Sequence, residues 1–188
     1  MPSLMSTPHP AIRQLETADI AAAVQLIHDV FMEFEAPDFT QEGIDEFLRF
    51  IAVDQLASRM DVADIALWGW YEHGRLVGVV GMELRGHVCL LFVDAAFHRR
   101  GIARALLAAA LHPLRKAGVL RVTVNSSPYA VAAYERLGFV ATDDERVFNG
   151  IRFVPMSRAV QASGMRSLSR TDDSCTGCLC EHPETESS

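Results

Sequence analysis

Residues 98–104, His98-Arg99-Arg100-Gly101-Ile102-Ala103-Arg104, place three arginines, a histidine and a glycine where a strand pattern gives way to a helical one. The apolar run 88–93 is closed by Asp94. Beyond it Ala103, Leu106, Leu107, Ala110, Leu111 and Leu114 repeat at the spacing of one helix face. The first backbone N–H groups of a helix have no internal acceptors and sit at the positive end of its dipole. Gly101 has no Cβ to keep a ligand from the backbone, and Arg99, Arg100 and Arg104 offer charge-assisted donors. This is chemistry for phosphate. The turn reads as a cradle for a phosphate-bearing ligand.

Other reactive side chains carry two readings each. Tyr134, at helical spacing with Val131 and Leu137, is a core aromatic or a phenolic proton donor. Glu83 is a strand-edge carboxylate or a general base, and His87 is a turn histidine or the alternative base. Strand alternation puts His87 on one side with Cys89, Leu91 and Val93, and Cys89 in an apolar run reads as core rather than nucleophile. Glu35 and Asp38, in the acidic stretch 33–39, are solvated or face a cationic partner. Cys175, Cys178, Cys180 and His182 could ligate zinc, but no folded frame surrounds them, so a reduced tail and no metal are expected. A Gly-x-x-x-x-Gly-Lys-[Ser/Thr] motif is absent, which removes the common nucleotide hydrolases.

The elements that must position these residues follow from periodicity. Ile20, Val24, Ile27, Phe31 and Phe34 define one helix face, with Thr17 as its cap. Ile44, Phe47, Leu48 and Ile51 define a second, capped by Thr40. Runs 67–71, 76–84 and 88–93, separated by His73-Gly74 and Arg85-Gly86, predict an antiparallel meander. A helix over 101–116 follows, shortened or kinked by Pro113. The strand 121–125 then lies parallel to 88–93 through a right-handed crossover. Ser127 caps the next helix, Gly138 ends it, and Asn149-Gly150 turns a last hairpin between 145–148 and 151–156.

The chain has 188 residues, 49% of them hydrophobic, 22% charged, with a net charge of −7. One core is expected over 11–158, between a disordered start (1–10) and a disordered polar tail (159–188). The acidic balance argues against a nucleic-acid partner. No secretory signal pattern or membrane-length apolar run is present, so a cytoplasmic protein is expected.

Taken with these motifs, the stretch 11–157 resembles the GNAT-type N-acetyltransferase superfamily. The resemblance rests on His98-Arg99-Arg100-Gly101-Ile102-Ala103, set against the family pattern of Gln or Arg, two residues, Gly, any residue, then Gly or Ala. It rests also on Asn125 followed by Tyr134-Glu135-Arg136-Leu137-Gly138-Phe139. His98 departs from the usual Gln or Arg.

The resemblance implies an α/β fold with a mixed sheet, largely antiparallel, whose central parallel pair splays around a coenzyme A site. It implies acetyl-CoA as cosubstrate. The end of the strand at Leu91, Phe92 and Val93 would lie along the pantetheine, and His98, Arg99, Arg100, Gly101, Ile102, Ala103 and Arg104 would hold the diphosphate. Asn125 would bind near the thioester arm, and Tyr134 would protonate the departing thiolate. The acceptor would be a primary amine on a small molecule or a protein. An idle acyl-CoA-binding regulatory module is the alternative, and exposed edge strands would permit a homodimer.

Overall fold

The structure, a computed structural model, describes residues 11–160. The chain runs β1 (Ala11–Gln14), α1 (Ile20–Phe34), α2 (Gln41–Phe50), α3 (Val53–Asp61), β2 (Ile65–Glu72), β3 (Arg75–Glu83) and β4 (His87–Val93). It continues through α4 (Ile102–Lys116), β5 (Arg121–Ser126), α5 (Val131–Arg136), β6 (Val140–Ala141), β7 (Arg146–Phe148) and β8 (Ile151–Ala159). Tight turns set the antiparallel pairs. Both φ angles are positive at His73-Gly74 and Asn149-Gly150, the geometry that matches the twist of a two-residue hairpin.

The strand order is β1-β2-β3-β4-β5-β8-β6, with β7 pairing to β8. Every pairing is antiparallel except β4 with β5. Helices cover both faces, as expected. One core packs α4 and Tyr134 of α5 against the sheet, around Leu106, Leu107, Val122 and Met156. The other packs α1, α2 and α3 on the opposite face, around Ile27, Phe31, Leu56 and Leu90.

Several local expectations need correction. Thr17 does not cap α1; a short 3-10 turn over Thr17–Asp19 precedes the helix, and the Asp19 carboxylate accepts from the Glu16 N–H at 2.9 Å. Thr40 does cap α2, accepting from the Gly43 N–H at 3.2 Å. Pro113 does not shorten α4, which continues to Lys116. The Ser127 side chain makes no cap bond to the turn it precedes. β1 and α3 lie outside the sequence reading, the first being four residues long and the second opening on Ala52 without a side-chain cap. The expectations for residues 1–10 and for the cysteine cluster fall outside the described residues.

Candidate active site

The parallel pair opens almost as soon as it forms. Only His87 opposite Thr123 and Val88 opposite Val124 are in register between β4 and β5. The His87 ring nitrogen Nδ1 lies 2.9 Å from Thr123 Oγ1 at this closed end. Beyond Val88 the strands diverge, although β4 remains paired to β3 as far as Val93 and β5 to β8 as far as Ser126. Backbone edges on the two sides of the gap therefore face each other without a ladder between them, and such groups need outside partners. The gap is the place for a ligand that lies along a strand edge.

At its far end stands the basic turn. Arg99 and Gly101 both have positive φ, 61° and 80°. Alternation of this kind turns successive N–H groups into one concavity that suits an anion. Nothing lies within 4 Å of where a Cβ on Gly101 would sit. No side chain caps α4, so the amides of Ile102, Ala103 and Arg104 stay available. Arg99 is exposed, Arg100 pairs with Glu72 at 2.6 Å, and Arg104 donates to the Arg136 carbonyl at 3.2 Å. The His98 Nε2 is 2.8 Å from the Val93 carbonyl oxygen, tying the turn to the end of β4. Phe34, at the end of α1, contacts His98 and stacks on Tyr129 at 5.3 Å, bridging the loops that follow β4 and β5. These residues fit a diphosphate and its extended arm.

A cavity of about 310 Å³ opens beside the gap, and Leu91, Phe92, Asn125, Tyr134, Glu83 and His87 all line it. Val93 and the 98–104 turn are not part of its wall. Tyr134 is 7% exposed, with its ring edge-on to Phe139 at 5.3 Å. Its hydroxyl makes no hydrogen bond among the described residues. Burial, and then the neighbouring Glu35, push its pKa above the ordinary phenol value, so the hydroxyl keeps its proton.

Glu35 faces the same cavity from the end of α1. Burial pushes its carboxyl up to about 7, while the nearby Ser127 hydroxyl pulls the other way. Ser127 Oγ is buried yet has no hydrogen-bond partner of ordinary geometry, and it also lines the cavity. Glu35 has no cationic partner among the described residues. Glu83 does: its carboxylate, 6% exposed, receives Arg59 at 2.9 Å and Arg85 at 2.7 Å. Burial lowers the pKa of His87 and pushes the Cys89 thiol up to about 12, which leaves the imidazole neutral and the thiol unreactive.

The cavity has a floor and a roof that the sequence does not announce. The α2 N-terminus meets the β7–β8 turn so closely that a Cβ on Gly43 would lie 2.3 Å from the Gly150 carbonyl oxygen. Phe148 and Phe153 of the hairpin share the cavity wall with Phe39, Phe47, Phe50 and Phe92. Glu35 is legible in the sequence as a loop carboxylate. Its burial is not, because that depends on α1 ending against the turn after β5.

An open mixed sheet with one splayed parallel pair and an amide cradle at the helix that follows is the arrangement expected from the resemblance to the GNAT-type acetyltransferases. Residues 35–160 match the acetyltransferase (GNAT) domain family, and the chain belongs to that family. An acetyltransferase of Agrobacterium fabrum is 43% identical over 65 residues, a match spanning 33% of this chain and 47% of that protein. The chain thus matches about half the length of that relative. The fold is similar to that of a GCN5-related N-acetyltransferase from Rhodopseudomonas palustris (TM-score 0.70, 20% identity, covering 84% of this chain and 100% of that one). It is also similar to the PaiA N-acetyltransferase of Thermoplasma acidophilum in complex with coenzyme A (TM-score 0.69, 18% identity, 81% and 100%). No helix among the described residues is long and apolar enough to cross a membrane.

Proposed function

We propose that the protein moves the acetyl group of acetyl-CoA to a primary amine by direct attack, with Glu35 as base and Tyr134 as acid. The observation that carries this reading is the meeting of an unpaired carboxylate and a buried phenol in one cavity beside the gap between β4 and β5. Acetyl-CoA supplies an activated acetyl thioester. The net change breaks one C–S bond, forms one C–N bond and moves one proton from nitrogen to sulfur.

The amides of Gly101, Ile102, Ala103 and Arg104 would hold the diphosphate, with Arg99 adding charge. The edge of β4 at Leu91–Val93 would take the pantetheine and turn one N–H toward the acetyl carbonyl. Asn125 would bind near the thioester.

An alkyl ammonium near pKa 10.4 must lose its proton before it attacks, at a cost of about 4 to 5 kcal/mol near pH 7. Glu35 suits that task because its affinity for a proton lies near neutrality. Glu83, the base expected from sequence, already accepts hydrogen bonds from two guanidinium groups, whereas Glu35 has no cation beside it among the described residues. Tyr134 holds its proton at Oη for the departing thiolate. Holding amine and thioester together contributes more than either proton transfer, up to about 7 to 11 kcal/mol.

The test is thiol release from acetyl-CoA in the presence of amines. Amine-dependent release is the expected result. Stabilisation by CoA without release across a broad amine panel would favour the idle binding module.

A further inference from the structure

Resting on that reading, we propose that the acceptor is a small primary amine with an aromatic body, its nitrogen held between Glu35 and Ser127 and its ring among the cavity's phenylalanines. Three observations carry this.

The acceptor end is walled by phenyl rings from four separate parts of the chain. Phe47 is fixed by stacking on Phe31 at 4.0 Å and sits 5.9 Å from Phe92 and 6.4 Å from Phe50. Phe148 lines the same cavity while 68% exposed. A ring on the rim with most of its surface wet is apolar area that a bound ligand would cover. Rings spaced like these accept another ring edge-on or offset.

The anionic groups are already spoken for, apart from one. Glu83 holds Arg59 and Arg85, Glu46 pairs with Arg49, and the cavity's arginine, Arg152, pairs with Glu145. Glu35 is thus the single carboxylate of the lining without a cation among the described residues. A polyamine finds no second unpaired carboxylate in the lining for its distal charge. A peptide finds phenyl walls where its backbone N–H and C=O groups need partners.

The third observation is the Ser127 hydroxyl, buried at 8% exposure, lining the cavity and close enough to Glu35 to act on its carboxyl. A hydroxyl directed at Glu35 keeps its oxygen lone pairs for a ligand N–H. Beside Glu35, it completes a two-point hold on an amine nitrogen. The cavity of about 310 Å³ lies at the small end of ligand pockets, about 300 to 1,000 Å³, and so limits the body to about one ring.

The experiment uses the full chain saturated with CoA, into which 2-phenylethylamine, spermidine and the tripeptide Ala-Gly-Gly are titrated calorimetrically. Steady-state kinetics with acetyl-CoA follow for the same three amines. The expected result is binding of 2-phenylethylamine and a kcat/KM about 100-fold above either competitor. Phe148→Ala should raise its KM about tenfold with kcat little changed, and Ser127→Ala should weaken its calorimetric binding. Both variants should keep the CoA-induced rise in melting temperature. Preference for spermidine or the tripeptide, or an unchanged KM in both Phe148→Ala and Phe50→Ala, overturns the inference while leaving acetyl transfer intact. Absence of any stabilisation by CoA strikes the acetyltransferase reading itself, and this inference falls with it.

Discussion

Glu35 carries opposite consequences for stability and for rate. Its carboxyl ionises near 7 in the folded chain, against about 4.3 when unfolded. The folded state therefore binds the proton more tightly, and stability declines as pH climbs from about 4 to about 7, then levels. The difference amounts to about 4 kcal/mol at most. Glu35→Gln should match the parent chain in stability at pH 4 and exceed it at pH 8, measured by denaturant unfolding. The rate should behave the other way. In the parent chain kcat/KM for the amine bends near pH 7, and in Glu35→Gln that bend disappears; a bend that persists would take Glu35 out of the mechanism. Tyr134→Phe should lower kcat by about 10²-fold while the affinity for CoA, followed by calorimetry, stays the same. Equal turnover would return Tyr134 to the role of a core ring. The two residues differ in how far sequence reveals them. Tyr134 is marked by neighbours a few positions away, Leu137, Gly138 and Phe139. Glu35 owes its raised proton affinity to burial, against the pull of Ser127, and that burial is made by parts distant along the chain.

At the level of elements, the strand–turn–helix unit β4–α4 is readable because all its signals are local. An apolar run, a glycine with φ of 80° and a one-sided helix face lie within thirty residues of one another. Gly101→Val would force a β-branched side chain into the left-handed region, a strain of about 1 to 3 kcal/mol. It should also obstruct the cradle, so CoA affinity should drop more than global stability; loss of stability alone would deny the cradle its ligand. His98 stands where the family pattern has Gln or Arg, and its partner is the Val93 carbonyl. A glutamine amide can make the same bond. His98→Gln should therefore keep CoA affinity, whereas His98→Ala should lose about fivefold, the worth of one hydrogen bond. Equal affinities in the two variants would show that the bond is idle. The helix α3 and the strand β1 are less readable for physical reasons. α3 opens on Ala52 with no capping side chain, and β1 is too short for alternation to register. Pro113 misleads in the other direction, since tertiary packing of Leu111 and Leu114 holds the last turn of α4 in place.

For the whole molecule, fold and site come from one topological fact. β5 lies between β4 and β8 and pairs with β8 along its whole length but with β4 at only two positions, which leaves a wedge in the sheet. The strand–helix–strand order reveals the parallel pair, and the splay is known beforehand only through resemblance to the family. The acceptor side is legible in its parts, the 33–39 loop, the second helix and the 143–150 hairpin, and hidden in how they meet. It is assembled from the α1–α2 turn, α2, and the β7–β8 hairpin, three parts brought together by the contact of Gly43 with Gly150. The central claim is that this wedge holds the coenzyme with its sulfur at Tyr134. A crystal structure of the chain with CoA tests it most directly. The account predicts the diphosphate on the amides that open α4 and the thiol beside the Tyr134 hydroxyl; coenzyme bound elsewhere, or a thiol remote from that phenol, would contradict it.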